Sequence, residues 1–143
     1  MCIRDRLKID HAVEFIDWID RKDLDQYFIN ASAFLFPSHE GAGMVVPEAL
    51  SFGIPVICLD NIGPGESVDQ HCGLKVSNKK YGKTIRELSI HLNALHNMPR
   101  FKYSLSVGAE NRFYDYFTWK RKGKVISKIY KKLLPQEQKQ LLC

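Results

Sequence analysis

Two short apolar runs constrain this chain more than any other feature: Ala33-Phe34-Leu35-Phe36 and Ile54-Pro55-Val56-Ile57-Cys58-Leu59. Both are too short for a packed helix, and neither alternates with polar residues. Each fits a strand buried on both faces, as found in parallel sheets covered by helices. Between them, Met44 to Phe52 reads as a helix closed by Gly53. Pro47 falls within about its first turn, where a missing N–H does least harm. Strand, helix, strand in this order implies a layered α/β domain with a parallel sheet.

The flanking segments extend the pattern. Ala12 to Ile16 reads as a strand, and Asp23 is placed to cap a short helix with Leu24, Tyr27 and Phe28 on one face. Gly73 to Val76 reads as one more strand. Three helices are expected to end the domain. Tyr81, Ile85, Leu88, Leu92 and Leu95 form one apolar stripe, and Phe101, Leu105, Ala109, Phe113 and Tyr116 form a second behind Pro99. Thr118 can cap a third helix with Val125, Ile126, Ile129, Tyr130 and Leu133 on its inner face. About four strands are visible, whereas a doubly wound sheet has about five or six. The sequence reads as starting mid-domain. Residues 1–11 are expected to be an extension or truncation scar, 12–134 a partial domain, and 135–143 a frayed tail.

Composition narrows the function classes. Hydrophobic residues are 45% and charged residues 26% of the chain, which excludes disorder as the main state. No apolar run approaches the ~20 residues that span a bilayer, and residues 1–6 lack a signal-peptide core, so a cytoplasmic location is expected. The four cysteines show no C-x-x-C spacing, as expected of free thiols. The net charge of +5 is unevenly spread. Residues 116–143 hold eight Lys/Arg and one acid, while Asp23 to Leu74 hold seven acids and no Lys or Arg. The basicity belongs to the tail. Without aromatic interleaving or a recognition helix, nucleic acid is not an expected partner.

The segment that can carry chemistry is Pro37-Ser38-His39-Glu40-Gly41-Ala42-Gly43-Met44-Val45-Val46-Pro47-Glu48. A loop following a parallel strand lies at the strand's carboxyl end, where open α/β sheets bind ligands. Gly41 and Gly43 allow close backbone approach, and amides at a helix start suit phosphate oxygens. Glu40 before the helix and Glu48 one turn inside it can face one crevice and accept hydrogen bonds from sugar hydroxyls. Each feature has a plainer reading alone: a tight turn for the glycines, a helix-dipole partner for Glu48.

Together they resemble the E-x7-E signature of retaining GT-B glycosyltransferases of the group 1 (family 4) type. Ala31 to Ser38, Glu48 to Ile57, Gly63-Pro64-Gly65-Glu66 and Gly73 to Val76 follow in the order of that family, so the similarity runs from about Val13 to Tyr130. The resemblance implies a Rossmann-like parallel sheet with flanking helices, the second half of a C-terminal, donor-binding domain. It implies a nucleotide-diphosphate-sugar as donor substrate, no metal or other cofactor, and transfer with retention to a glycan or lipid-linked acceptor. Glu48 would bind the ribose, Glu40 would act at the donor sugar as the catalytic residue, and the amides from Gly41 through Ala42, Gly43 and Met44 to Val45 would face the sugar and diphosphate. The acceptor-binding N-terminal domain, and the Arg and Lys that clamp the diphosphate, would lie upstream.

This chain departs from the family at Ala42, where an aromatic or Glu is usual, and at Asp17, which replaces a common glycine. His39 is a possible ligand contact or a loop-packing residue. Glu66 is a possible ligand contact or a cap for the turn that follows it. Trp18 is expected in the core or at a domain interface. The basic C-terminal helix fits either a packed terminal helix or peripheral membrane contact. The alternative to an enzyme fragment is a non-catalytic module that binds a nucleotide or a membrane surface.

Overall fold

The computed structural model describes residues 3–41, 43–78 and 80–133. They fall into two units, residues 1–30 and 31–143. In the first, α1 (Ile3–Arg6) leads through a 3-10 turn (Asp10–Ala12) and an irregular stretch to α2 (Arg21–Asn30). The strand expected over Ala12 to Ile16 does not form. Ala12 closes the 3-10 turn, and residues 13–16 enter no ladder, without which an extended segment is not a sheet strand. The helix cap is Asp20 rather than Asp23. The Asp20 carbonyl accepts from Asp23 N at 2.9 Å, and its carboxylate accepts from Lys22 N at 3.3 Å. Asp23 lies inside the first turn, where its charge complements the helix dipole. Trp18 is 80% exposed and belongs to no core.

The second unit is built on β1 (Phe34–Phe36), β2 (Val56–Leu59) and β3 (Gly73–Val76), joined in the order β1-β2-β3 with both pairings parallel. Phe34 pairs with Val56, and Val56 with Gly73, so all three strands end at one edge. Every residue of β2 is buried, which explains its unbroken apolar sequence. The crossover from β1 to β2 is α3 (Val45–Ser51), whose Val46, Ala49 and Leu50 are fully buried. Burying a side chain of Leu size contributes about 1.5–3 kcal/mol. Gly53, with φ +67°, ends the helix as expected.

A short helix α4 (Pro64–Ser67) follows β2, and three helices follow β3: α5 (Tyr81–Asn97), α6 (Pro99–Tyr116) and α7 (Trp119–Leu133). Leu95 of α5 and Leu105 of α6 close over Ile57 and Val76, with Leu74, Leu88 and Phe101 packed around them. Thr118 caps α7 through its Oγ1, which accepts from Arg121 N at 3.4 Å. The Rossmann-like α/β class read from the sequence is therefore the one found. The exception is α7. Its apolar side was expected to face inward, yet no residue of the helix is buried. The tail from residue 135 lies outside the described residues.

Candidate nucleotide-sugar site

Parallel pairing brings three loops to the carboxyl edge of the sheet: 37–44 after β1, 60–63 after β2 and 77–80 after β3. The first two pack backbone against backbone. Gly63 has φ +85° and ψ −97°, and a Cβ there would collide with the Glu40 carbonyl and stand 2.7 Å from the Gly41 carbonyl. Only glycine combines that conformation with that approach. Gly43, also at positive φ, sits against the Pro64 ring at the start of α4. Position 63 thus fixes where Glu40 and Gly41 lie.

From this loop the chain enters α3 with no side-chain cap hydrogen bond at its start. Glu40, Gly41, Gly43, Met44, Val45 and Glu48 therefore form one run, from the loop into the first helical turn at the carboxyl edge of the sheet, with Glu40, Gly41 and Met44 exposed and Gly43 buried. Ala42 lies outside the described residues. The Glu40 side chain is exposed. Glu48 is half-buried and shares the less-buried side of α3 with Val45 and Ser51, whereas Val46, Pro47, Ala49 and Leu50 face inward.

His39 is held more firmly than its exposed position suggests. Asn61 Nδ2 donates to the Ser38 carbonyl at 3.1 Å and lies 3.3 Å from His39 Nδ1. Asn78 Nδ2 lies 3.4 Å from His39 Nε2, so the two asparagine amides bracket the ring and its tautomer sets which nitrogen accepts. Asn61 Oδ1 is buried with no partner among the described residues. His39, Asn61 and Asn78 come one from each loop. A cavity of about 440 Å³ opens beside them, lined by Pro37, His39, Leu59, Asn78, Tyr81 and Thr84 among others. Glu40 and Glu48 do not line it.

The fold also softens the acidity counted in the sequence. Asp60 pairs with Lys75 at 3.0 Å, and Lys75 also donates to the Gly65 carbonyl. Asp69 pairs with Arg112 at 3.5 Å. Arg112 further donates to the carbonyls of Ser67 and Glu66, and its guanidinium lies 3.8 Å from the Tyr116 ring centre. Glu66 is an exposed residue of α4, and its backbone carbonyl accepts from Arg112. Asn61, Asn78, Lys75 and Arg112 were not singled out from the sequence. They are 10 to 46 residues from their partners; the sheet register aligns Asn61, Asn78 and Lys75, while α6 carries Arg112 to the carbonyls of α4.

Burial raises both Cys58 and Cys72 to about 11, so each thiol stays protonated near neutral pH and neither is a nucleophile. Among the described residues, no three His, Cys, Asp or Glu side chains gather as metal ligands.

Residues 2–96 match the family described as Glycosyl transferases group 1. Among curated proteins, none matches this sequence. Three solved structures share the fold. Sucrose-phosphate synthase from Thermosynechococcus elongatus superposes with a TM-score of 0.73 at 22% identity, over 91% of this chain and 32% of that one. WaaG, a glycosyltransferase involved in lipopolysaccharide biosynthesis, gives 0.70 at 20%, over 85% of this chain and 32% of that one. HepE of Anabaena, in complex with UDP, gives 0.70 at 18%, over 90% of this chain and 35% of that one. The chain thus spans about a third of the length of each.

Proposed function

The chain belongs to the Glycosyl transferases group 1 family, and from that premise we infer that it is the donor-binding part of a retaining glycosyltransferase. In this reading it is part of a C-terminal domain, residues 12–134, and a longer polypeptide supplies the acceptor-binding domain. The observation that carries the reading is the run from Glu40 to Glu48, set at the carboxyl edge of the sheet by the packing of Gly63.

The donor is a nucleotide-diphosphate-sugar. The Glu48 carboxylate accepts hydrogen bonds from the ribose hydroxyls. Amides between Gly41 and Val45 face the donor sugar and the diphosphate, and Glu40 lies at the sugar hydroxyls. The acceptor attacks from the face the diphosphate leaves, which retains configuration. The exposure of Glu40, with Glu48 half-buried behind it, suits a cleft whose second wall comes from another domain. Neither the helix start nor the basic residues Lys75 and Arg112 supply enough positive charge for the diphosphate. A helix N-terminus is worth about 0.3–1 kcal/mol to an anion at an exposed site, and Lys75 and Arg112 are committed to Asp60 and Asp69.

Calorimetric titration of UDP into the full-length enzyme tests the division of roles. Glu48→Ala is expected to weaken binding by about 1–3 kcal/mol, the cost of losing a charged hydrogen-bond partner. Glu40→Ala is expected to bind UDP almost normally and to lose turnover. Equal loss of affinity in both variants would refute the assignment.

A further inference from the structure

The loop that carries Glu40 is held by side chains from its neighbours rather than by its own backbone. Among the described residues, no backbone–backbone hydrogen bond reaches residues 37–41, and each of the five is exposed. An exposed segment with no ladder or helix bond is normally among the first parts of a domain to open. Two contacts act on this one. The Glu40 and Gly41 carbonyls rest against Gly63, and that contact is a wall. It stops the loop from moving toward its neighbour and does nothing to stop it moving away. The pull comes from Asn61, two residues before Gly63. Asn61 Nδ2 donates to the Ser38 carbonyl at 3.1 Å and lies 3.3 Å from His39 Nδ1. Asn78 Nδ2, from the third loop, lies 3.4 Å from His39 Nε2. The pull on Ser38 and His39 and the wall behind Glu40 and Gly41 thus act on consecutive residues.

The chemistry of Asn61 fits a hold on the loop better than a contribution to stability. Ser38 and His39 are exposed, so water can replace the amide at either partner. The other half of the same amide, Oδ1, is buried with no partner among the described residues, which costs free energy. A leucine, of similar size and without polar atoms, would remove that cost and release the loop. Stability and loop order therefore respond separately to this one substitution, which distinguishes positioning from ordinary packing.

We propose that Asn61 is the positioning residue of the Glu40 loop, with Asn78 as a second hold on His39, so that Glu40 and the Gly41 amide are in place before a donor arrives. The consequence for the donor rests on the function proposed above; the order of the loop does not. Backbone amide relaxation of the isotope-labelled chain, with and without UDP, tests the two separately. Order parameters from Ser38 to Gly41 are expected near about 0.85 in the parent and below about 0.6 in Asn61→Leu, with β1 and α3 unchanged. The melting temperature of the variant is expected to be no lower than that of the parent. UDP affinity should fall about five- to thirtyfold, the equivalent of ordering the backbone of one residue on binding. An unchanged loop in Asn61→Leu would overturn the proposal, and so would a freed loop that binds UDP as tightly as the parent. If the parent shows no UDP-induced shifts from Gly41 to Val45, the donor reading fails, and the order parameters still decide whether Asn61 holds the loop. Should Asn61→Leu fail to fold, Asn78→Ala carries the test, because Asn78 is exposed and in no helix or strand. It should lower the order parameter of His39, and an unchanged value there would overturn the proposal.

Discussion

Replacing Gly63 with alanine should damage both the stability of the domain and the position of Glu40. Two costs arise at this one site. At φ +85° and ψ −97° an alanine occupies backbone space that costs about 1–3 kcal/mol. The new methyl also meets the carbonyls of Glu40 and Gly41, and overpacking of this kind costs about 1–3 kcal/mol where neighbours cannot move. The first loop can yield by shifting outward, which recovers part of the second cost and displaces Glu40. A net loss of about 2–4 kcal/mol is therefore expected, a large share of the ~5–15 kcal/mol that holds a domain together. Urea unfolding followed by far-ultraviolet circular dichroism reads the loss. Gly41→Ala is the control, because it lies in the partner loop, has no positive φ, and its Cβ would meet nothing within 4 Å. It should stay within about 0.5 kcal/mol of the parent. If Gly63→Ala is neutral, or Gly41→Ala costs as much, the packing of the two loops does not fix the site.

Arg112→Ala should destabilise by about 1–3 kcal/mol, because two carbonyls, Asp69 and the Tyr116 ring lose one partner at once; thermal melts would show it, and a neutral result would make the clamp ornamental. Cys58 and Cys72 should resist iodoacetamide at pH 8 in the folded chain and react in urea, as read by peptide mass mapping; rapid alkylation in the folded state would contradict their burial. Their raised values imply stability that is intact below the ordinary thiol value of 9.0 and lost as pH climbs toward about 11, because the unfolded chain ionises first. Unfolding midpoints should fall across that window, and a Cys58→Ser, Cys72→Ser double variant should lose the slope.

Legibility in the sequence followed the range of the interaction. β3 is bounded where Gly73 and Val76 suggested, and β2 lies within the run that only double burial explains. The glycine loop leading into α3 was visible because its signals are contiguous. Residues 12–16 misled because their apolar character suggests a strand, while a strand needs a neighbour that local sequence does not specify. Asp20 and Asp23 are both good cap types, and only backbone geometry separates them. The stripe of α7 was legible, but its orientation was not: periodicity gives a face, not what the face meets. Asn61 and Asn78 around His39, and the Lys75 pairing, depend on sheet register, the Arg112 contacts depend on where α6 lies against α4, and none had a local signal.

The central claim is that nucleotide-sugar binds along Glu40 to Glu48, and amide chemical-shift mapping of the isotope-labelled chain with UDP tests it most directly, since even millimolar binding is visible. The account predicts the largest shifts at Gly41, Gly43, Met44, Val45 and Glu48, with smaller ones at Gly63 and Asn61, and loss of the pattern in Glu48→Ala. Shifts centred instead on the loop 69–71 and Arg112, around the separate cavity of about 460 Å³, would contradict it.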